Sequence, residues 1–251
     1  RPLLIHEQNA VAGFTNRCLS HLAREVLEAF PGSFGQGVNT RAIGNPVRQD
    51  ISAIAAPANR FAERSGAIRV LVIGGSQGAT RLNSVVPFAL AKLRQMAGNS
   101  IPPIDVRHQA GERWIEAGRE SYANAGVRAD VRPFIEDMAE AYSWADLVIC
   151  RSGALTVSEL AAAGVGAILV PFPAAVDDHQ TQNAQYLVRE GAAVLIADRD
   201  LTADRLAEEL QRLCVGRGKL LAMAERARLL ARPRAADELA ARCLEIARSA
   251  A

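Results

Sequence analysis

Strand-like and helix-like segments alternate along almost the whole of this 251-residue chain, and this alternation constrains its fold more than any other feature. Short apolar runs such as Ile68–Ile73 and Leu147–Cys150 are each followed by a longer segment whose apolar residues recur at helical spacing. A chain of this kind builds a parallel sheet covered by helices, because each crossover helix carries the chain back across a face of the sheet. The sequence therefore predicts an α/β fold.

Glycine and proline are concentrated in residues 31–66, between two such alternating regions, and this composition is typical of a linker. Before it, short apolar runs at residues 3–6 and 26–30 look like the end of one domain. A fresh α/β unit begins at Ile68. We expect the end of a first domain at 1–45, a linker at 46–67, a second domain at 68–232 and a terminal helix at 233–251.

The composition excludes several classes of function. The chain has 29 Lys and Arg against 27 Asp and Glu, with no basic block, which argues against a nucleic-acid partner. Its four cysteines, Cys18, Cys150, Cys214 and Cys243, are far apart, so we expect reduced thiols in the cytoplasm and no bound metal. No apolar run approaches the roughly 20 residues of a membrane span, so we expect a soluble or peripheral protein.

Residues 151–159, with the sequence RSGALTVSE, follow a predicted strand and open a predicted helix. The small residues at this turn allow close approach to the backbone, and the first helical turn leaves N–H groups without intrahelical partners, as a diphosphate requires. Glu159 lies about one turn further along, where its carboxylate can accept hydrogen bonds from ribose hydroxyls. The alternative is an ordinary capped helix, with Ser152 or Thr156 as the cap and a capping box from Thr156 to Glu159.

A second glycine-rich loop, GGSQGA at residues 74–79, follows the strand Ile68–Ile73 and also opens a helix. We expect Ser76 and this loop to face the same crevice as residues 151–159, since both follow parallel strands. A nicotinamide cofactor is not expected, because the next strand ends in Arg107 and His108 instead of the acidic residue that would hold its ribose. The alternative is a tight turn whose glycines serve packing alone.

Polar groups follow four other apolar runs. The backbone N–H and C=O groups at Ile135 could form hydrogen bonds with the edge of a nucleobase. The side-chain amide of Gln180 offers both a donor and an acceptor to a hydroxyl-rich ligand. Asn9 ends the first strand, and Arg48 is suited to balance a phosphate charge. Helix capping or ordinary solvation is the alternative for each, and for His179 a binding contact or a solvated position competes with a role as a general base.

Taken in order, the motifs HEQN, GNPVR, GGSQGA, RSGALTVSE and DDHQTQNA closely resemble the MurG family of bacterial glycosyltransferases, over residues 4–239. The resemblance implies the GT-B fold, in which two Rossmann-like domains face each other across a cleft and the C-terminal one holds UDP-GlcNAc. It implies inverting transfer of GlcNAc to a lipid-linked muramoyl-pentapeptide in peptidoglycan synthesis, at the cytoplasmic face of the membrane. It implies no cofactor.

The resemblance also assigns residues, position by position, with His179 standing where some relatives carry glutamine. The implied contacts with UDP-GlcNAc are Asn9 and Gln180 for the sugar, Arg48 and Ser76 near the phosphates, Ala154, Leu155, Thr156, Val157 and Ser158 for the diphosphate, Glu159 for the ribose, and the backbone of Ile135 for uracil.

One family motif has no match in this chain: the GGTGGH-type loop that binds the acceptor diphosphate and carries the histidine proposed as the base. We therefore expect that the chain lacks much of the acceptor domain, that the catalytic base is not identifiable here, and that the chain alone is inactive. The terminal helix would then have little to pack on and would be mobile. The alternative function is a donor-binding subunit of a split, two-chain transferase; an epimerase is disfavoured, since Asp177 and Asp178 are the only acidic pair at that end.

Overall fold

The computed structural model describes residues 2–75, 79–98, 100–173, 175 and 178–249, and these form two parallel sheets. The first sheet has the strand order β1-β2-β3. Its elements are β1 (Leu4–Glu7), α1 (Phe14–Ser20), β2 (Glu25–Glu28) and β3 (Thr40–Ala42).

The second sheet begins at β4 (Ile68–Ile73) and contains six parallel strands, which confirms the predicted α/β class. The strands β4 and β7 match the predicted runs to the residue. The elements after β4 are α4 (Thr80–Ala97), β5 (Ile104–Gln109), α5 (Ile115–Asn124), β6 (Asp130–Arg132), α6 (Met138–Trp144), β7 (Leu147–Cys150), α7 (Ala154–Ala163), β8 (Gly166–Leu169), α8 (His179–Val188), β9 (Ala193–Leu195), α9 (Ala203–Cys214), α10 (Arg217–Leu229) and α11 (Ala235–Arg248).

The order of strands in the second sheet is β6-β5-β4-β7-β8-β9. Counted from β4, this is the order 3-2-1-4-5-6 of dinucleotide-binding folds, in which the direction of winding reverses between the first and fourth strands. Here the reversal falls between β4 and β7, which pair from Val70 with Leu147 to Ile73 with Cys150. Ligands of such sheets bind beyond the carboxyl ends of the strands at this reversal.

Alternate residues of β4 pack on opposite faces of the sheet, because successive side chains of a strand point to opposite sides. Val70 and Val72 join a core cluster that includes α4 and α9, whereas Leu71 and Ile73 join a cluster that includes α6, α7 and α8. Helices therefore cover both faces. This double cover explains why the central strands are apolar throughout instead of alternating with polar residues.

The predicted linker is more ordered than its composition suggests. Two short helices, α2 (Gln49–Ser52) and α3 (Pro57–Ala62), follow β3 within the glycine- and proline-rich region. Arg60 of α3 donates through Nη1 to the carbonyl of Tyr142 at 3.1 Å and through Nη2 to that of Ala163 at 3.1 Å. Nη1 of Arg228 in α10 donates to the carbonyl of Ser52 in α2 at 3.4 Å. Arginine side chains thus fasten both short helices to the helices beside the second sheet, and Gly and Pro content alone does not predict such tertiary contacts.

The last helix, α11, returns to the first sheet. Arg242 of α11 donates through Nε to both carboxylate oxygens of Glu25 in β2, at 2.8 and 2.9 Å, and Ala235 and Ile246 of the same helix are buried. The helix thus contacts β2 of the first sheet while most of its residues are exposed, and the mobility expected for it stays a prediction.

The longest of the described helices, α4, has 18 residues. None of the helices in the described ranges combines enough length with enough apolar character to cross a membrane.

Candidate functional site

A cavity of about 360 Å³ lies at the carboxyl ends of β4 and β7, where the sheet reverses its winding. The two loops that were expected to face one crevice both contribute to its wall. The lining residues are Ile73, Gly74, Gly75, Ala79, Thr80, Cys150, Arg151, Gly153, Thr156, Phe172 and Gln180. Of the predicted contacts, Thr156 and Gln180 lie in this wall, while Ser76 lies outside the described residues, as does Asp177.

The helix α7 begins at this cavity with Gly153 as its N-cap residue. Its first intrahelical bond runs from the N–H of Val157 to the carbonyl of Gly153, at 3.0 Å, so the N–H groups of the three preceding residues have no partner within the helix. Glycine has no side chain to cap them. Among the described residues nothing else bonds to these N–H groups, so an anion in the cavity would meet available donors and the positive end of the helix dipole.

The capped-helix interpretation is wrong, because Gly153 is the N-cap residue of α7, no described side chain caps the helix, and Thr156 lies within the first turn and not before it. The Ser152 hydroxyl donates to the carbonyl of Gln180 at 2.8 Å, and the carboxylate of Glu159 accepts a hydrogen bond from the Tyr142 hydroxyl at 3.0 Å. Neither side chain reaches the first turn of α7. Among the described residues, the N–H groups of this turn therefore stay available to a ligand in the cavity.

The side chains of the first turns of α7 differ in what they contact. Leu155 is 48% exposed, whereas Val157 is fully buried. Ser158 donates to the carbonyl of Ala154 at 2.9 Å and accepts from Nδ2 of Asn45 at 3.1 Å. Val157 and Ser158 therefore anchor the helix, and an anion would meet mainly the backbone of this stretch.

Glu159 has an unusual environment for a carboxylate. Burial raises its pKa above the ordinary value, while the hydrogen bond from Tyr142 and the nearby charge of Arg48 oppose the rise and Asp50 adds to it. Arg48 precedes α2 and pairs with Asp50 at 3.4 Å, outside the cavity wall. The sequence pointed to Glu159 but gave no signal for Tyr142, which comes from a different helix.

Ile135 is buried, and its N–H already donates to Oε1 of Gln109 at 3.0 Å. Gln109 is the last residue of β5 and is itself buried. A nucleobase at this point could accept no hydrogen bond from the Ile135 N–H unless it displaced the side-chain amide of Gln109, whereas it could donate one to the Ile135 carbonyl. The sequence did not single out Gln109.

Asn9 is tied to the second sheet through Asn183 of α8. Nδ2 of Asn183 donates to Oδ1 of Asn9 at 3.2 Å and to the carbonyl of Ser152 at 3.3 Å, and its Oδ1 accepts from the N–H of Ala10 at 2.7 Å. Nδ2 of Asn9 donates to Glu7 at 3.3 Å. One buried amide therefore joins the loop after β1 to the loop after β7.

Gln180 lies in the first turn of α8, after His179. Its Oε1 accepts from the N–H of Phe172 at 2.9 Å, so its amide hydrogens are directed by that bond. Asp178, the residue just before α8, has a φ of 53°, a left-handed conformation that is uncommon for a residue with a side chain. The start of α8 is therefore held in a specific, strained geometry beside the cavity.

The cavity contains one arginine, and its charge is already balanced. Nη1 of Arg151 donates to Asp198 at 2.6 Å and to the carbonyls of Val170 and Pro171 at 3.1 and 3.0 Å. Among the described residues, an anion in this cavity would therefore depend more on the N-terminus of α7 than on side-chain cations.

Comparison with known proteins identifies the family of this chain. The model of the glycosyltransferase family 28 C-terminal domain matches residues 69–239. A protein of Marinobacter nauticus named UDP-N-acetylglucosamine–N-acetylmuramyl-(pentapeptide) pyrophosphoryl-undecaprenol N-acetylglucosamine transferase is 56% identical over 98% of this chain, and a protein of the same name from Xanthomonas campestris is 54% identical over 95%.

The crystal structure of Acinetobacter baumannii MurG superimposes on 95% of this chain with a TM-score of 0.84 and 42% sequence identity. The chain spans only part of each of these proteins: 67% of the Marinobacter protein, 54% of the Xanthomonas protein and 65% of the Acinetobacter chain.

Proposed function

Because this chain belongs to the MurG family of glycosyltransferases, with the GT-B fold, we propose that the whole protein transfers GlcNAc from UDP-GlcNAc to a lipid-linked muramoyl-pentapeptide. The names of its relatives supply both substrates. In this proposal the cavity at the reversal of the sheet is the donor site.

The uncapped N-terminus of α7 at the cavity is the observation that carries the proposal. UDP leaves with a growing negative charge when an acceptor hydroxyl attacks the anomeric carbon. Three backbone N–H groups and the helix dipole stabilise that charge without rearranging. The base that deprotonates the acceptor stays unassigned.

The other proposed donor contacts are those that the family resemblance assigns, and of their side chains only that of Gln180 lines the described cavity wall. Glu159 accepts from the ribose hydroxyls, Gln180 and Asn9 contact the sugar, and the carbonyl of Ile135 reads uracil. Arg48 supports the negative charge of Glu159 and reaches the phosphates only if its side chain turns toward them. Ser76 remains a proposed phosphate contact.

The proposed organisation keeps residues 1–45 as part of the acceptor domain, 46–67 as the connection, 68–232 as the donor domain and 233–251 as the returning helix. The acceptor is lipid-linked, so the whole protein would work at the cytoplasmic face of a membrane. A separate donor-binding subunit is not favoured, because the Marinobacter relative carries the whole of this region within one named transferase.

Calorimetry with UDP-GlcNAc and UDP-GalNAc tests the proposal. We expect this chain to bind UDP-GlcNAc more tightly than its C4 epimer, since Gln180 and Asn9 hold the sugar. Glu159→Ala removes hydrogen bonds to a charged group, which are worth about 1.5–3 kcal/mol, and should weaken UDP-GlcNAc binding roughly 10- to 100-fold.

Glu116→Ala is the matched control, because Glu116 is exposed on α5 and pairs only with its helical neighbour Arg119. Binding by this variant should equal that of the wild type. Absence of UDP-GlcNAc binding, or equal binding by the Glu159→Ala variant, would overturn the donor-site assignment.

A further inference from the structure

We propose that Tyr142 is a positioning residue for nucleotide recognition: its hydroxyl holds one oxygen of the Glu159 carboxylate and thereby presents the other oxygen to the ribose. The proposal rests on the assignment of Glu159 to the ribose hydroxyls. It adds a residue that the family motifs do not include, on a helix that does not border the cavity.

The Tyr142 hydroxyl is buried deep in the protein. The residue is 1% exposed and packs in the core cluster between the sheet and the helices α6 and α7. A buried tyrosine hydroxyl needs a hydrogen-bond partner, and within the described residues this one finds it in Oε2 of Glu159, at 3.0 Å. A phenylalanine would fill the same space without that need, so packing alone does not account for the hydroxyl.

The helix that carries Tyr142 is held at both ends. At its start, Oδ1 of Asp137 accepts from the N–H of Glu140 at 2.8 Å. At its end, Nη1 of Arg60 donates to the carbonyl of Tyr142 itself, and Nη1 of Arg64 donates to the carbonyl of Trp144 at 2.8 Å. The position of the hydroxyl is therefore set before any ligand arrives, as a precise binding site requires.

The two oxygens of the Glu159 carboxylate can accept hydrogen bonds from different partners. An ionised carboxylate only accepts hydrogen bonds, and its two oxygens offer about four lone-pair directions. Tyr142 occupies one direction on Oε2. Within the described residues nothing else bonds to this carboxylate, so Oε1 and the rest of Oε2 stay available to two vicinal hydroxyls, and the bond to Tyr142 restrains its rotation away from them.

Charge supports the same arrangement. Burial favours the protonated form of Glu159, which would donate one hydrogen bond and lose acceptor capacity, whereas the Tyr142 hydroxyl and Arg48 favour the ionised form. The other titratable groups that interact electrostatically with Glu159 are Asp50 of α2, which raises its pKa, and Cys150 of β7. Tyr142 therefore helps to keep the carboxylate in the state that two ribose hydroxyls need.

The test is the discrimination between UDP and 2′,3′-dideoxy-UDP, measured by calorimetry as a ratio of dissociation constants. In the wild type the ratio should strongly favour UDP, and in the Glu159→Ala variant it should fall close to one. Tyr142→Phe keeps the ring and should reduce the ratio about three- to ten-fold, the worth of one hydrogen bond, with little change in the affinity for the dideoxy ligand.

Tyr122→Phe is the matched control, since Tyr122 is equally buried and also donates its hydroxyl, but to His108 of β5. Its ratio should match that of the wild type. In the Glu159→Ala background, Tyr142→Phe should have no further effect on the ratio, because a residue that acts through Glu159 has nothing left to position.

The outcomes separate the two proposals. If the Tyr142→Phe variant loses affinity for both ligands equally, Tyr142 is only a packing residue and the inference is wrong. If the Glu159→Ala variant keeps the wild-type ratio, the ribose assignment in the proposed function is wrong instead. The ratio is measured on folded protein, so a moderate loss of stability in either variant leaves the result readable.

Discussion

At the scale of single residues, His108 shows how this fold buries a titratable group without charging it. The bond from Nδ2 of Asn83 to the carbonyl of Ala110 fixes the orientation of this amide, so that its Oδ1 faces His108. An amide oxygen only accepts hydrogen bonds, so Nε2 of His108 is protonated and donates to Oδ1 at 3.0 Å. Nδ1 then accepts from the Tyr122 hydroxyl at 2.9 Å. The ring is neutral, and burial lowers the pKa of His108 to about 3.

This network predicts acid sensitivity. Between pH 6.5, near the ordinary pKa of histidine, and about pH 3, the unfolded chain binds a proton at His108 that the folded protein does not. Its contribution to the free energy of unfolding is therefore complete above pH 6.5 and falls as the pH drops, by up to about 1.4 kcal/mol per pH unit.

Urea unfolding from pH 7.5 to 4 measures this effect. His108→Gln removes the titrating group, so the variant should be less stable at neutral pH but should lose less stability on acidification than the wild type. Equal slopes in the two proteins would show that other groups dominate the acid response.

The residues of the candidate site were only partly predictable from the sequence. Glu159, Gln180 and the start of α7 stood out because loops after parallel strands carry ligands. Tyr142 and Gln109 did not, because each acts through one partner far away in sequence. A hydroxyl or amide of this kind is recognisable only when the two chain segments are seen together.

At the scale of elements, the alternation of patterns gave the strands and helices of the second sheet but not their order in it. The short helices α2 and α3 were missed for a physical reason. They are too short to be stable alone. Arg60 of α3 binds carbonyls of α6 and α7, and Arg228 of α10 binds the carbonyl of Ser52 in α2. Composition reports local preference, and in this segment tertiary contacts override it.

The start of α7 predicts opposite effects on stability and binding. A side chain fits at Gly153, since its φ is −59° and the nearest atom to an added Cβ would be Oγ1 of Thr156 at 3.8 Å. Gly153→Asp would cap the N–H groups of this turn. It should raise the free energy of unfolding by roughly 0.3 kcal/mol, the usual difference between Asp and Gly at an N-cap. The same carboxylate would occupy the anion site, and UDP-GlcNAc affinity should fall more than about ten-fold, or 1.4 kcal/mol.

Urea unfolding and calorimetry together check this pair of effects. Gly153→Ala is the control, because it adds the Cβ without an acceptor and should affect binding much less than aspartate does. Full UDP-GlcNAc affinity in the Gly153→Asp variant would show that the diphosphate does not use this helix terminus.

At the scale of the whole molecule, two buried amides connect the first sheet to the second. Asn183 bonds the loop after β1, and Nδ2 of Asn45 donates to the carbonyl of Gln8 at 3.0 Å as well as to Ser158. Asn183→Ala would leave the N–H of Ala10 without its acceptor. We expect a loss of about 1–3 kcal/mol in stability, the usual effect of one unsatisfied buried group.

Hydrogen exchange measures the local effect of Asn183→Ala. The amide of Ala10 should exchange roughly five-fold faster or more, because its opening no longer breaks a hydrogen bond worth about 1 kcal/mol or more. Asn124→Ala, an exposed position at the end of α5, should leave the exchange at Ala10 unchanged. Unchanged exchange in the Asn183→Ala variant would mean that the loop is held from elsewhere.

Arg60 of α3 and Arg64 just after it also bear on where the second sheet could be separated from the preceding residues. Both arginines lie before the first strand of the second sheet, yet they satisfy carbonyls of α6 and α7. A fragment beginning at Ile68 would lose both and expose those carbonyls, whereas one beginning at Val47 would keep them. An engineered domain exchange should therefore keep residues 47–67 together with the second sheet, because a crossover at Ile68 would separate Arg60 and Arg64 from the carbonyls that they bind.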